Sequence, residues 1–126
     1  MPPPLELPAT DTTPRVVFHP AEAVLRIEGE SYPENVSAFY EPVFAWVRDH
    51  LGTKPASFKV VLAFHYLNTS STKAVLDLLV LLDDHHRAGG AAEVEWHYRP
   101  GLEVMHEAGE ELGEDLSLPY RLVPTA

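Results

Sequence analysis

The densest chemistry in the chain lies in six consecutive residues, Asn68-Thr69-Ser70-Ser71-Thr72-Lys73. They follow an apolar run, Phe58 to Leu67, and precede a longer one, so they stand where a strand hands over to a helix. The first N–H groups of a helix lack intrahelical acceptors, and the dipole is positive there. Such a place suits an anion, or a phosphate carried on one of its own side chains. Asn, Ser and Thr are also the preferred helix-capping residues. One or two would serve as a cap, and this run exceeds that need. On the residues alone a phosphoswitch and a plain cap both stand open.

Two other chemistries are written nearby. Ser70-Ser71-Thr72-Lys73 matches S-x-x-K, in which a lysine helps to activate a serine, but the companion S-D-N and K-T-G segments are missing. A small serine hydrolase using Ser70 and Lys73 is therefore a lesser alternative. The seven histidines raise the question of a metal, and His106 and Glu110 share a helix face at i,i+4. Zinc needs three or four convergent ligands, which no spacing here supplies, so no metal and no cofactor are expected. His85 and His86 fall in a last helical turn, where they complement the dipole, and His65 and His97 suit cross-strand pairing with Glu93 or Glu95. No G-x-G-x-x-G or phosphate-binding loop is present.

Composition narrows the field further. Nineteen Asp and Glu against nine Lys and Arg give a net charge of −10, which leaves no electrostatic reason to approach nucleic acid or anionic lipid. With no cysteine, disulfides and thiolate metal sites are excluded. There is no signal-peptide pattern at the start and no apolar run of membrane-spanning length, so the expectation is a cytoplasmic protein without membrane insertion. At 126 residues the chain is expected to form one domain.

The elements that position the hydroxyl run follow from periodicity. Residues 1–14 hold five of the twelve prolines and read as an extended lead-in to a single domain over 15–126. Arg15 to His19 and Val24 to Gly29 read as a hairpin. In the segment Gly29-Glu30-Ser31-Tyr32-Pro33-Glu34-Asn35, Ser31 or Tyr32 is the expected N-cap of a helix with Pro33 in its first turn, and Pro42 should kink or split that helix. Gly52 should end it. Phe58, Val60, Leu62, Phe64 and Tyr66 are expected on one face of a strand; Val94, Trp96 and Tyr98 alternate with Glu93, Glu95 and His97 in another. Such alternation predicts a sheet covered on one face and largely solvated on the other. The helix from Thr69 or Ser70 to Arg87 is apolar on more than one side and should touch both neighbouring helices or a partner chain. A third helix, Leu102 to Leu112, is weakened by Gly109 and ended by Gly113. The order is ββαβαβαβ: a two-layer α/β domain with one mixed sheet of about five strands and three helices on one face.

Three segments resemble a known family. Gly29-Glu30-Ser31-Tyr32-Pro33-Glu34-Asn35, Tyr66-Leu67-Asn68-Thr69-Ser70-Ser71-Thr72-Lys73 and Trp96-His97-Tyr98 are similar, in that order, to the signature segments of the SiaC-type bacterial regulatory phosphoproteins. The resemblance implies a STAS-like fold and a non-enzymatic signalling role in biofilm and aggregation control. It further implies partner switching: a protein kinase phosphorylates a threonine, a PP2C-type phosphatase removes the phosphate, and the dephosphorylated protein activates a diguanylate cyclase or another output protein. Carried onto this chain, the acceptor is Thr69. Asn68, Ser70, Ser71, Thr72 and Lys73 shape the switch loop, with Ser31, Tyr32 and Glu34 beside it. Arg99-Pro100-Gly101-Leu102 departs from the acidic continuation of the third segment. An anti-anti-sigma factor controlling transcription is the alternative within signalling.

Overall fold

The computed structural model describes residues 5–125, so the lead-in expected over 1–14 and the domain expected over 15–126 reach beyond it at 1–4 and at 126. Six strands and three helices follow one another: β1 (Glu6–Leu7), β2 (Arg15–His19), β3 (Val24–Ser31), α1 (Val36–Gly52), β4 (Lys59–Leu67), α2 (Thr69–Arg87), β5 (Glu93–Tyr98), α3 (Glu103–Gly113) and β6 (Tyr120–Pro124). The strands lie in one mixed sheet in sequence order. β1, β2 and β3 pair antiparallel; β3 to β6 pair parallel. Three successive crossovers in one direction, each of the same hand, put all three helices on one face. The two-layer architecture is as the periodicities indicate, with β1 added to the expected strands. Two residues carry no alternation to read, and β1 exists because Glu6 and Leu7 find Val17 and Val16 opposite them.

Val16, Phe18, Leu25, Ile27, Val60, Leu62, Phe64, Val94 and Trp96 form the covered face and pack on α1, α2 and α3. α2 touches both α1 and α3. The other face carries no helix but is less open than alternation suggests. Val17 is buried on it between Glu6 and Arg26, and Val61 beside Glu95, on which Lys59, His97 and Arg121 converge. Glu95 is the hub. The hydrogen bond from His97 is the largest influence on it; despite the opposing effect of burial, this bond with Arg121 and Lys59 draws its carboxyl down to about 2.

Three local expectations bear comparison with the structure. α1 begins after Asn35, whose side chain accepts from the Ala38 N–H; Ser31 and Tyr32 are not its cap, because Ser31 still belongs to β3. Pro42 does not split α1, which runs on through it; Pro42 and Ala38, whose carbonyl loses a partner, both face solvent. Gly52 closes the helix as its last residue, while the left-handed position beyond it is taken by Lys54 at φ 53°.

β3 and β4 shift register between Gly29 and Glu30: Gly29 faces Phe64 and Glu30 faces Tyr66, so His65 is an extra residue in β4. Such a bulge reverses the alternation beyond it. Tyr66 therefore leaves the covered face where strict alternation would put it and is 49% exposed, while Leu67 turns inward. The strand end that leads into α2 is re-aimed by this one residue.

Candidate functional site

The hydroxyl run is the first turn of α2 rather than a loop before it. Asn68 is the N-cap, extended at φ −79° and ψ 173°, and its Oδ1 accepts the Ser71 N–H at 2.8 Å. Its own N–H donates to the Ser31 carbonyl at 3.1 Å, which fastens the cap to the end of β3. The four hydroxyls that follow have separate fates. Ser71 is fully buried and accepts from Ser31 Oγ at 2.8 Å. Thr72 Oγ1 turns back to the Asn68 carbonyl at 3.0 Å. Thr69 and Ser70 are exposed. Lys73 reaches along the helix to Asp77, not back to Ser70, so the S-x-x-K arrangement is not assembled as a nucleophile and base.

Thr69 stands at the rim of a groove of about 810 Å³ between the first turns of α1 and α2. Tyr32, Pro33, Glu34, Val36, Tyr40 and Phe44 form one wall, and Asn68, Thr69, Ser70, Lys73, Ala74 and Asp77 the other. Lys73 is the one cation among these residues and is paired with Asp77, and Glu34 adds a second carboxylate to the lining. The ring of Tyr32 meets Tyr66 edge-on at 5.7 Å, and both are exposed. The bulge in β4 makes this pair possible.

Of the residues expected at the switch, Asn68, Thr69, Ser70, Lys73, Tyr32 and Glu34 do line the groove. Ser31 and Ser71 do not present a surface. Both are fully buried, so neither can touch a partner directly, and their influence must pass through the positions of their neighbours. Thr72 is half-buried and internally bonded. Tyr40, Phe44, Tyr66 and Asp77 were not foreseen. Tyr40 reads as one more residue of an apolar stripe, yet its hydroxyl bonds Ser31 Oγ at 2.7 Å, and burial, partly offset by that bond, pushes its ionisation up to about 12.

Two histidines outside the groove are paired with carboxylates. His106 Nδ1 pairs with Glu110 Oε1 at 3.1 Å, and His97 Nε2 with Glu95 Oε1 at 2.9 Å. No group of three or more potential ligands gathers to hold a metal among the described residues. No described helix is long and apolar enough to cross a membrane.

Comparison with known proteins decides the relationship. A family model described as the SiaC family regulatory phosphoprotein matches residues 7–125. The chain belongs to the SiaC family. This is a family of regulatory phosphoproteins. An uncharacterized protein of Pseudomonas aeruginosa (strain UCBPP-PA14) is 36% identical over 118 residues, 94% of each chain. The solved structure of SiaC of Pseudomonas aeruginosa superposes with a TM-score of 0.89 at 33% identity, covering 98% of this chain and 99% of that one. The SiaC chain in a crystal structure of the diguanylate cyclase SiaD with its activator SiaC, also from Pseudomonas aeruginosa, gives 0.91 at 35% identity, over 96% and 99%. The family relation therefore spans the whole described domain.

Proposed function

We propose that this chain is a switch protein that activates a diguanylate cyclase when unmodified and is turned off by phosphorylation of Thr69. A protein kinase would add the phosphate and a PP2C-type phosphatase would remove it, in the cytoplasm. The likeness to SiaC, named as the activator of SiaD, supports the output. The observation that carries the site is the sorting of the hydroxyls. Ser71 is enclosed and Thr72 is bonded inward, which leaves Thr69 and Ser70 accessible, and the family resemblance favours Thr69.

The physics of the switch follows from position. A phosphate on the first residue of α2 adds about −1.5 to −2 charge beside first-turn N–H groups that lack intrahelical acceptors. Lys73, one turn on, can turn from Asp77 to meet it, so the fold is preserved. A docked partner would instead face a dianion at the rim of a groove already bearing Glu34 and Asp77, and desolvating that charge is costly.

The test is phosphorylation by a protein kinase purified from the native cell by its activity on this chain, followed by peptide mapping and a cyclase-activation assay. Phosphate at Thr69, its loss in Thr69→Ala, and activation by the unphosphorylated form only are expected. Activation that is equal before and after stoichiometric phosphorylation refutes the switch.

A further inference from the structure

We infer that Ser31, Tyr40 and Ser71 form a buried hydroxyl clamp that positions Thr69 and Ser70 for modification and withholds Ser71. The inference deepens the proposed function and rests on Thr69 being a phosphoacceptor, but the clamp itself is tested independently below.

Three hydroxyls from three elements meet at one buried point: Ser31 at the end of β3, Tyr40 on α1 and Ser71 in the first turn of α2. Ser31 and Ser71 are 0% exposed and Tyr40 2%. Ser31 Oγ donates to Ser71 Oγ at 2.8 Å. With its one proton spent there, Ser31 accepts at 2.7 Å from the Tyr40 hydroxyl, so the bonds run Tyr40 to Ser31 to Ser71. The backbone of Ser31 adds a second hold, since its carbonyl accepts the Asn68 N–H.

Ser31 thus grips both flanks of the accessible pair. Asn68 is held through its backbone and Ser71 through its side chain, and Asn68 Oδ1 closes the turn onto the Ser71 N–H. Between those anchors Thr69 and Ser70 have one way to face, which is outward. Burial is the reason that the clamp is specific. A polar group without a partner is costly in a low-dielectric interior, so rotating α2 to expose Ser71 would leave the buried Ser31 hydroxyl hydrogen without its acceptor. Helix capping needs only Asn68; it does not require a hydroxyl at Ser71, Ser31 or Tyr40. Tyr40 also lines the groove, so the clamp joins the wall of the groove to the turn that bears Thr69.

The experiment compares wild type with Tyr40→Phe, which keeps the ring, and Ser31→Ala, which breaks both bonds. Hydrogen exchange of the full chain reads the Ser71 and Thr72 amides. They should exchange about fivefold or more faster in each variant, more so in Ser31→Ala, with β4 and β5 amides unchanged. Phosphorylation with the same kinase is mapped alongside. Wild type should carry phosphate at Thr69 and none at Ser71, whereas the variants should label Thr69 more slowly and gain phosphate at Ser71. A merely structural role would not move the site distribution. Should Ser31→Ala fail to fold, Tyr40→Phe decides alone. Unchanged exchange at Ser71 and Thr72 overturns the clamp, and an unchanged site distribution overturns its role in positioning. Wild type left unlabelled would refute the proposed function instead, with the exchange measurement still deciding the clamp.

Discussion

Replacing Gly109 by alanine puts two physical effects in opposition. Gly109 lies inside α3, where Gly→Ala ordinarily stabilises a helix by about 1 kcal/mol. Here a Cβ would stand 2.5 Å from Nε1 and 2.7 Å from Cγ of Trp96. Carbon at ordinary contact needs about 3.5–4 Å, so the indole or the helix must give by roughly 1 Å. Trp96 cannot yield freely. It is 0% exposed, it packs on Phe64 at 5.9 Å between centroids, and its Nε1 donates to the Met105 carbonyl at 2.9 Å. Overpacking costs about 1–3 kcal/mol, and a stranded buried donor costs about 1–3 kcal/mol more. The Tyr120 hydroxyl, which donates to the Gly109 carbonyl at 2.6 Å, resists a compensating shift of α3. Against a gain of about 1 kcal/mol the net expectation is a loss of about 1–5 kcal/mol. Urea denaturation followed by circular dichroism reads this as a lower midpoint at unchanged slope. Gly52→Ala is the control, because a Cβ there meets nothing within 4 Å, and its stability should stay within about 1 kcal/mol of wild type. A Gly109→Ala protein as stable as wild type, or more so, would refute the close approach of α3 to β5.

Three more outcomes follow from the same structure. Asp83 is buried; its Oδ1 accepts the Ser117 and Leu118 N–H groups at 2.8 and 2.9 Å and its Oδ2 accepts from Arg87, so Asp83→Ala should cost about 3–5 kcal/mol in denaturant, and a cost below about 1 kcal/mol would contradict the assignment. His50 is buried against Trp46, Phe18 and Phe58, and burial first, then repulsion from His85, lowers its pKa. The unfolded chain therefore binds a proton that the folded one refuses: stability is fully present above about pH 6.5 and falls as pH drops below it. His50→Phe should flatten the change in unfolding midpoint between pH 7 and 5, and an unaltered slope would exclude His50 as its source. Finally, Asn68→Ala should lose about 1 kcal/mol with the cap, whereas Thr69→Ala, which removes only an exposed side chain, should melt within about 0.5 kcal/mol of wild type. The reverse order would make Thr69 a structural residue.

How far the sequence is legible depends on the range of each interaction. Alternation in Val24 to Ile27 and in Glu93 to Tyr98, and the capping chemistry of Asn68, are local, and the elements stand where they indicate. Ser31 was legible as a residue that prefers caps and, by resemblance, as a neighbour of the switch loop. Its true partners, Tyr40 and Ser71, lie 9 and 40 residues away, and no local rule contains them. Gly109 reads as a weak point in a helix because propensity is a property of the helix alone, while its value here comes from the indole of another strand. Asp83 looks like part of a charged helix end, and its role depends on a loop 34 residues on.

By itself the sequence determined the hydroxyl run, its place at the start of a helix, the one-sided α/β layering and, by resemblance, the family. Those depend on periodicity, on side-chain type and on short segments in order. Only the tertiary structure decided which hydroxyls face outward. The extra residue in β4 turned Tyr66 toward Tyr32, and the bonds among Tyr40, Ser31 and Ser71 drew one hydroxyl of the run into the core. Burial makes that choice, because a hydroxyl is held inside only where distant parts of the chain supply its partners.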